Sequence, residues 1–360
     1  MRFCGYFLEI VMNTKIICTL GPSTENAELL AEMLNAGMDV ARINFSHGSH
    51  EDALKRINIV REAERIAGRK CALLADTKGP EMRLGLFQNG SVELVAGDRF
   101  IISTEQCLGD KIRAWVSYSE LPHDVKIGQQ VLLADGALSL VVKDVQGTEI
   151  ITEVTHGGEL SDRKRIACPG IELNMPFISE MDKQDLLFAK EHNFDYVAAS
   201  FVQKGDNVDA IRDILGKNSK IKIIAKIENA AGVKNMKEIV KKADGVMVAR
   251  GDLGVEMPLE ELPIIQKRIL YMCHSIGKIS VIATQMLESM CHAYRPTRAE
   301  VCDVANAVFE ESSMVMLSGE TAAGKYPLEA VTTMAKIVRA IENSQEYKNQ
   351  MVIHGLHKVE

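Results

Sequence analysis

The sequence has no Cys-x-x-Cys pair and no histidine spacing typical of a metal site, although it contains eight cysteines and nine histidines. These absences argue against a zinc site, and scattered cysteines beside apolar residues are typical of buried free thiols in a reducing cytoplasm. No apolar run is long enough to span a bilayer. The net charge of −7 gives no sign of nucleic-acid binding. We therefore predict a cytoplasmic protein that binds neither nucleic acid nor membrane.

Eight apolar runs predict the strands of a parallel sheet, because they are continuously hydrophobic and do not alternate with polar residues. The runs cover residues 14–21, 39–46, 71–77, 196–202, 221–228, 245–250, 279–285 and 313–320. Amphipathic helix patterns, such as those at 26–37 and 52–68, lie between most of them. Eight strand–helix repeats predict an α/β fold of the (β/α)8 or TIM-barrel type.

One interval, residues 81–171, interrupts this rhythm with short alternating strands and with turn signals such as Asn89-Gly90 and Asp135-Gly136. It predicts a small all-β barrel, inserted as a lid after barrel strand 3. The catalytic barrel is then expected at 13–80 and 172–345, followed by a tail at 346–360. Residues 1–12 are predicted to be an N-terminal extension, because they lack the features of a signal peptide and Met12 is a second plausible start.

The most informative polar residues end two of the predicted strands. Lys226 and Glu228 lie two positions apart and so share a strand face, and Asp252 ends the next strand. Neighbouring parallel strands end side by side, so we expect the two carboxylates to meet around one ion, with Lys226 beside them. Two carboxylates with open positions suit Mg²⁺, and an adjacent ammonium suits stabilisation of an enolate or a phosphoryl group. An exposed polar strand face or a simple turn is the alternative for each motif alone.

Several segments, in a fixed order between residue 14 and about residue 331, resemble the pyruvate kinase family. They include KIICTLGPST, DVARINFSHG, ADTKGPEMRLG, IAKIENAAGV, VMVARGDLGVE and MLSGETAAGKYPLEAV. The resemblance implies a transferase acting in the last step of glycolysis. Such an enzyme transfers the phosphoryl group of phosphoenolpyruvate to ADP and gives pyruvate and ATP, with Mg²⁺ (or Mn²⁺) and K⁺ as cofactors.

The resemblance also implies roles for individual residues. Glu228 and Asp252 would bind Mg²⁺, and the catalytic residues would be Lys226, Arg42 and Thr284. The substrate would be bound by Arg42, Lys226, Thr284, Ser200 and the segment Ala249, Arg250, Gly251 and Asp252. K⁺ would be bound by Asn44, Ser46, Asp76 and Thr77, and the nucleotide by His47, Arg83 and Lys164. Glu81 stands where K⁺-dependent members carry an acid, so we expect K⁺ activation.

The chain departs from the family pattern in several places, of which two matter most here. Arg165 and Ala167 stand where the family has Gly and Asn, next to Lys164. The family's C-terminal effector-binding domain is absent from the sequence, so any homo-oligomer is expected to form through the barrel. Two alternatives stay open: a weak or inactive truncated pyruvate kinase that only binds ligands, and a Mg²⁺-enolate aldolase or lyase on a related barrel.

Overall fold

The computed structural model describes residues 13–46, 48–171 and 174–353. Its strands are β1 Lys15–Thr19, β2 Met38–Asn44, β3 Ala72–Asp76, β4 Met82–Arg83, β5 Ser91–Leu94, β6 Arg99–Ser103, β7 Arg113–Trp115, β8 Gln130–Leu133, β9 Leu138–Gln146, β10 Glu149–His156, β11 Gly158–Ser161, β12 Arg165–Ala167, β13 Tyr196–Ala199, β14 Lys222–Ile227, β15 Gly245–Ala249, β16 Ile279–Ala283 and β17 Met314–Leu317. Its helices are α1 Ala27–Ala36, α2 His50–Ala67, α3 Leu121–Asp124, α4 Glu180–Glu191, α5 Gly205–Leu215, α6 Ala230–Lys234, α7 Met236–Lys242, α8 Arg250–Glu256, α9 Leu262–Ser275, α10 Arg298–Phe309, α11 Gly319–Ala322, α12 Pro327–Glu342 and α13 Gln345–Ile353.

Eight strands close into a barrel in the order β1-β17-β16-β15-β14-β13-β3-β2. The register is parallel between β1 and β2, β1 and β17, β13 and β14, and β14 and β15. All residues of β13, β15 and β17 are buried, which explains why these strands are continuously apolar in sequence. The predicted (β/α)8 barrel is confirmed, and each strand lies within its predicted range except β2, which begins one residue early at Met38.

The chain divides into two compact units, of which the first comprises residues up to 43, 51–74 and 279 onward. Its core includes Ile16, Ile17 and Val315, which are fully buried. Helix α12 packs against α1 and α10. Its apolar face is marked by Val331, Met334 and other buried residues at helical spacing.

The second unit comprises residues 44–50 and 75–278. It contains the segment 81–171, called the lid below, in which a seven-stranded sheet has the order β4-β12-β8-β9-β10-β6-β7 and β11 pairs with β5. Most of these pairings are antiparallel, and β9 buries Leu138, Leu140 and Val142 at alternate positions. These side chains belong to a cluster that also contains the fully buried Phe100. The lid therefore has a hydrophobic core of its own.

Two local predictions differ from the structure. Residues 233–243 have the sequence pattern of one helix, but this region contains two helices, α6 and α7, which are separated at Asn235. The Asn235 side-chain amide donates to the carbonyl of Gln203 at 2.8 Å. The turn expected at Arg250-Gly251-Asp252 is the first turn of helix α8. Gly and Asp are typical turn residues, and an N-terminal helical turn accepts both, so the residue types alone did not distinguish the two.

The cysteines agree with the sequence-based expectation. Five of the seven described cysteines are buried, and all seven are free thiols: Cys18, Cys71, Cys107, Cys168, Cys273, Cys291 and Cys302. Burial raises the pKa of Cys71, Cys168 and Cys273 to about 12, so these thiols stay protonated and unreactive. No helix in the described part of the chain combines the length and the apolar character needed to cross a membrane.

Candidate active site

Lys226 lies at the centre of a buried polar cluster in the second unit. Its Nζ is 3.0 Å from Glu228 Oε1, 3.1 Å from Asp76 Oδ1 and 2.8 Å from Ser200 Oγ. These residues come from the C-terminal ends of β14, β3 and β13, the ends at which barrel enzymes carry their chemistry. A buried ammonium keeps its charge only when it is paired, and here two carboxylates pair with it.

Glu228 is fully buried, and its two oxygens have different surroundings. Oε2 accepts the backbone N–H of Phe201 at 2.6 Å. Oε1 lies beside the Lys226 ammonium without the alignment of a hydrogen bond, and no other donor in the described part of the chain reaches it. Burial raises the pKa of Glu228 to about 7; the Lys226 charge opposes the shift and the Asp252 charge adds to it. Glu228 Oε1 is therefore a buried acceptor that is balanced by the Lys226 charge and receives no hydrogen bond from the described residues.

Asp252 stands in the first turn of α8, after the buried Ala249 that ends β15. Its Oδ1 accepts a short, charged hydrogen bond from Nη1 of Arg165, on strand β12 of the lid. The Arg165 side chain is 8% exposed, whereas that of Asp252 is 34% exposed. The segment Ala249, Arg250, Gly251 and Asp252 is thus a helix N-terminus, an end that attracts anionic groups.

The four predicted K⁺ ligands lie at the ends of β2 and β3 and just after them. The backbone N–H of Phe45 donates to the carbonyl of Asp76 at 3.0 Å, which joins the loop of Asn44 and Ser46 to the end of β3. Asn44 Oδ1 accepts the backbone N–H of Ser46 at 2.9 Å. The Thr77 Oγ1 accepts the backbone N–H of Ser200 at 3.2 Å. Oxygen atoms of this kind, from amides, hydroxyls and carbonyls, each carry two lone pairs and are of the type that binds alkali cations.

The predicted nucleotide-binding residues are less well connected. Arg83 on β4 donates to Glu81 Oε2 from Nε at 2.9 Å, and its Nη1 donates to the carbonyl of Arg163 at 3.1 Å. Lys164 is exposed on the lid. His47 lies outside the described residues. Arg83 therefore forms an ion pair with Glu81.

Arg42 and Thr284 lie in the first unit. Arg42, on β2, is 8% exposed and donates from Nη1 to Thr19 Oγ1 at 2.8 Å. Thr284 follows β16 and has a left-handed backbone with φ of 68°, as has Gln285 with φ of 54°. A β-branched residue is rarely found at positive φ, and such strain costs about 1–3 kcal/mol. The strain fixes the direction of the chain at the end of this barrel strand.

Ser318 and Glu320, to which the sequence assigned no role, are also in the first unit. Glu320 is fully buried, and its oxygens accept the backbone N–H groups of Leu287 at 3.1 Å and Ser318 at 2.7 Å. Burial raises the pKa of Glu320, although these hydrogen bonds oppose the shift. The carboxylate therefore fixes two loops that follow barrel strands.

Sequence reasoning missed Arg165, Phe201 and Glu256 as residues of this region. They line a cavity of about 200 Å³ together with Glu81, Cys168, Gln203, Asn229 and Lys234. The Arg165 guanidinium lies over the Phe201 ring, 4.9 Å from its centroid. The replacement of the family's Gly by Arg165 was the available signal, but the sequence alone did not indicate its partner.

The residues present fit a divalent cation. No group of three or more His, Cys, Asp and Glu suited to a metal occurs in ranges 13–46, 48–171 and 174–353. Mg²⁺ nevertheless needs only one or two carboxylates, because water and substrate oxygens fill the other positions. Glu228, whose Oε1 receives no aligned hydrogen bond within these ranges, and the partly exposed Asp252 are the two carboxylates that would hold such an ion. In this structure the Asp252 carboxylate is paired with Arg165.

Known proteins resemble this chain over most of its length. A family model described as the pyruvate kinase barrel domain matches residues 11–331. The pyruvate kinase of Geobacillus stearothermophilus is 48% identical over 340 residues, which are 93% of this chain and 58% of the relative. That of Bacillus licheniformis is 46% identical over 339 residues, with the same coverage of both chains. That of Clostridium perfringens is 45% identical over 340 residues, which cover 94% of this chain and 72% of the relative.

The chain thus spans 58% of the length of the first two of these curated relatives. The family model covers most of the chain, and the identities extend over nearly all of it. On these grounds the chain belongs to the pyruvate kinase family.

Proposed function

We propose that the chain transfers the phosphoryl group of phosphoenolpyruvate to ADP and forms pyruvate and ATP. The observation that carries the proposal is the buried Lys226 ammonium held within 3.1 Å of Asp76, Ser200 and Glu228 at the ends of parallel barrel strands. An ammonium fixed in advance at a dry site stabilises developing negative charge at little reorganisation cost.

Glu228 and Asp252 would hold Mg²⁺ (or Mn²⁺). When bound, this ion would neutralise charge on the phosphoryl and enolate oxygens. The surroundings of Glu228 Oε1 support this assignment, because among the described residues this buried oxygen receives no aligned hydrogen bond and is balanced only by the charge of Lys226 at 3.0 Å.

The chain's own residues would bind and orient the substrate. Lys226 would stabilise the phosphoryl group in transfer and the enolate that remains. Arg42 would bind the phosphate, since the planar guanidinium suits two parallel hydrogen bonds to phosphate oxygens. The N-terminus of α8, with the Thr284 hydroxyl, would bind the substrate carboxylate. Protonation of the enolate then gives pyruvate.

The nucleotide would lie against the lid. His47, Arg83 and Lys164 are the proposed phosphate contacts, and the terminal oxygen of ADP would attack the phosphorus in line. The cavity beside Arg165 has walls from the lid and from the loops that follow β13 and β14. A closed lid would exclude water, so that transfer to ADP is favoured over hydrolysis.

Asn44, Ser46, Asp76 and Thr77 would bind K⁺ through oxygen atoms, next to the Lys226 cluster. Their support is the hydrogen bond from the Phe45 N–H to the Asp76 carbonyl, which brings the two strand ends together. We further propose a cytoplasmic enzyme, without nucleic-acid or membrane partners.

A coupled assay tests the proposed reaction. The chain is mixed with phosphoenolpyruvate, ADP, MgCl₂ and KCl, and pyruvate is detected with lactate dehydrogenase and NADH. Lys226→Met is expected to lower kcat at least about 100-fold, the usual cost of removing a preorganised charge or donor. Lys222→Met is the matched control, because Lys222 lies on the same strand but is exposed, and it is expected to keep full activity.

Four outcomes would contradict the proposal. Pyruvate formation from phosphoenolpyruvate without ADP would indicate hydrolysis, and pyruvate formation from a longer oxo-acid would indicate lyase chemistry. Retained ligand binding with no pyruvate would indicate a chain that binds without turnover. Equal activity of the Lys226→Met and Lys222→Met variants would separate the reaction from the Lys226 cluster.

A further inference from the structure

Arg165 is the cation that the lid contributes to this region. Its guanidinium makes a charged hydrogen bond to Asp252 across 87 positions of sequence. The side chain is almost fully removed from solvent. A buried arginine without a partner would be strongly destabilising, so the pairing with Asp252 stabilises this arrangement.

Phe201 contacts both Arg165 and Glu228, the second of the two carboxylates proposed to hold the cation. Its ring supports the guanidinium at 4.9 Å, and its backbone N–H holds Glu228 Oε2 at 2.6 Å. Phe201 itself has φ of 56°, a left-handed conformation that fixes both interactions from one residue. Arg165 is therefore held beside both Asp252 and Glu228.

Acidic residues surround the Arg165 guanidinium. Burial lowers its pKa, but the charges of Asp252, Glu228, Glu81 and Glu256 outweigh this and raise the pKa overall. The Asp252 side chain is one-third exposed, so an ion from solvent can reach the same carboxylate. The Arg165 guanidinium and a divalent ion from solvent therefore both have access to the Asp252 carboxylate.

We infer that Arg165 competes with the divalent cation for Asp252 and sets how tightly this chain binds that cation. The inference rests on the proposed function only in taking Asp252 as a ligand of the ion. A cation that takes Asp252 releases the Arg165 guanidinium toward the cavity that it lines, where it can pair with a phosphate oxygen. Cation binding and lid contacts are then linked through one carboxylate.

Mn²⁺ binding to the full chain tests the competition without any assay of activity. Free Mn²⁺ is measured by electron paramagnetic resonance during titration of the wild type, Arg165→Gln and Arg163→Gln. Arg165→Gln is expected to tighten Mn²⁺ binding at least about tenfold, which corresponds to about 1.4 kcal/mol. Arg163→Gln removes the same charge two residues away, from an exposed position of the lid, and is expected to leave binding unchanged.

A second background shows whether Asp252 carries the effect. The Asp252→Asn variant lacks the carboxylate for which Arg165 and Mn²⁺ would compete. Adding Arg165→Gln to it is therefore expected to change the Mn²⁺ affinity less than twofold. Equal or weaker Mn²⁺ binding by Arg165→Gln overturns the inference. A tenfold gain that persists in the Asp252→Asn background also overturns it, because a general charge effect would then explain the gain.

Arg165→Lys keeps the test decisive if Arg165→Gln does not fold, as judged by circular dichroism. Lysine keeps the charge but lacks the planar fork, so a smaller gain in Mn²⁺ affinity, about threefold, is expected. Affinity equal to or weaker than that of the wild type overturns the inference here as well. Failure of the proposed reaction is distinguishable, because a chain that forms no pyruvate can still show the tenfold gain.

Discussion

Ser200→Ala is the sharpest single perturbation of the Lys226 cluster. The Ser200 hydroxyl accepts from Lys226 Nζ at 2.8 Å and donates to the Thr77 carbonyl at 2.6 Å. The variant keeps the two carboxylates that pair with Lys226 but removes the neutral oxygen that orients its ammonium. Ser200 acts in this respect as a positioning residue.

The expected magnitude follows from these contacts. A hydrogen bond to a charged group contributes about 1.5–3 kcal/mol. Because Asp76 and Glu228 still pair with Lys226 in the variant, we expect the loss of transition-state stabilisation to lie near the lower limit. We therefore expect kcat to fall about tenfold, with KM for phosphoenolpyruvate changed less than threefold. The Thr77 carbonyl also loses a donor, which is expected to lower the free energy of unfolding by about 1–2 kcal/mol.

Ser312→Ala separates the two effects. Ser312 is equally buried, at 3% exposure, and its hydroxyl donates to the Met314 carbonyl at 2.7 Å, before the start of β17. We expect the same loss of unfolding free energy from Ser312→Ala, with kcat unchanged. The coupled pyruvate assay and urea unfolding measure both quantities. Equal kcat values for Ser200→Ala and Ser312→Ala would refute the positioning role.

Three further predictions address the cation, the lid and a helix cap. Replacing KCl with tetramethylammonium chloride is expected to lower turnover at least about tenfold, and Glu81→Lys is expected to remove this dependence, because the lysine ammonium supplies the positive charge. Phe100→Ala empties a fully buried site in the lid core and is expected to cost about 3–5 kcal/mol of unfolding free energy. The single tryptophan, Trp115, on the neighbouring strand reports this by fluorescence. Burial raises the pKa of Glu300, but hydrogen bonds from Ser289 and from its own helix cap outweigh this and lower the pKa. The ionised Glu300 therefore stabilises the fold at pH values above its ordinary pKa, and this stabilisation is lost as the pH falls through its lowered pKa. Glu300→Gln is expected to lower the free energy of unfolding by about 1 kcal/mol at pH 7 and by less at pH 3.

Each of these predictions has an outcome that contradicts it. Unchanged turnover without K⁺ would reject the cation role. A loss below about 1 kcal/mol in Phe100→Ala, or an equal loss in the exposed control Val95→Ala, would reject the independent lid core. An equal cost of Glu300→Gln at pH 7 and pH 3 would show that the charge of Glu300 is not the stabilising factor.

The barrel was predictable because its strands are buried on both faces. Residues 245–249 and 314–317 are wholly apolar, so burial is visible in each strand without knowledge of its neighbours. The contact of Lys226 with Glu228 was predictable for a similarly local reason, since side chains two apart on a strand share a face. Local periodicity was sufficient in both cases.

The Arg165–Asp252 pair was not predictable in this way. The two residues lie on a lid strand and a barrel helix, 87 positions apart, and no periodicity relates them. The start of α8 at Arg250 was missed because a glycine followed by an aspartate is equally typical of a turn. Contacts set by the tertiary fold, and ambiguous residue types, account for what the sequence did not predict.

Phe201 contacts Arg165 through its ring and Glu228 through its backbone N–H, and a substitution can change the first contact without the second. Its left-handed backbone suits glycine better than any other residue. A glycine at this position would keep the amide that holds Glu228 while deleting the aromatic platform beneath Arg165. Phe201→Gly would therefore remove the ring contact of Arg165 and keep the hydrogen bond to Glu228. Position 201 is thus a site at which variants with altered cation affinity can be designed.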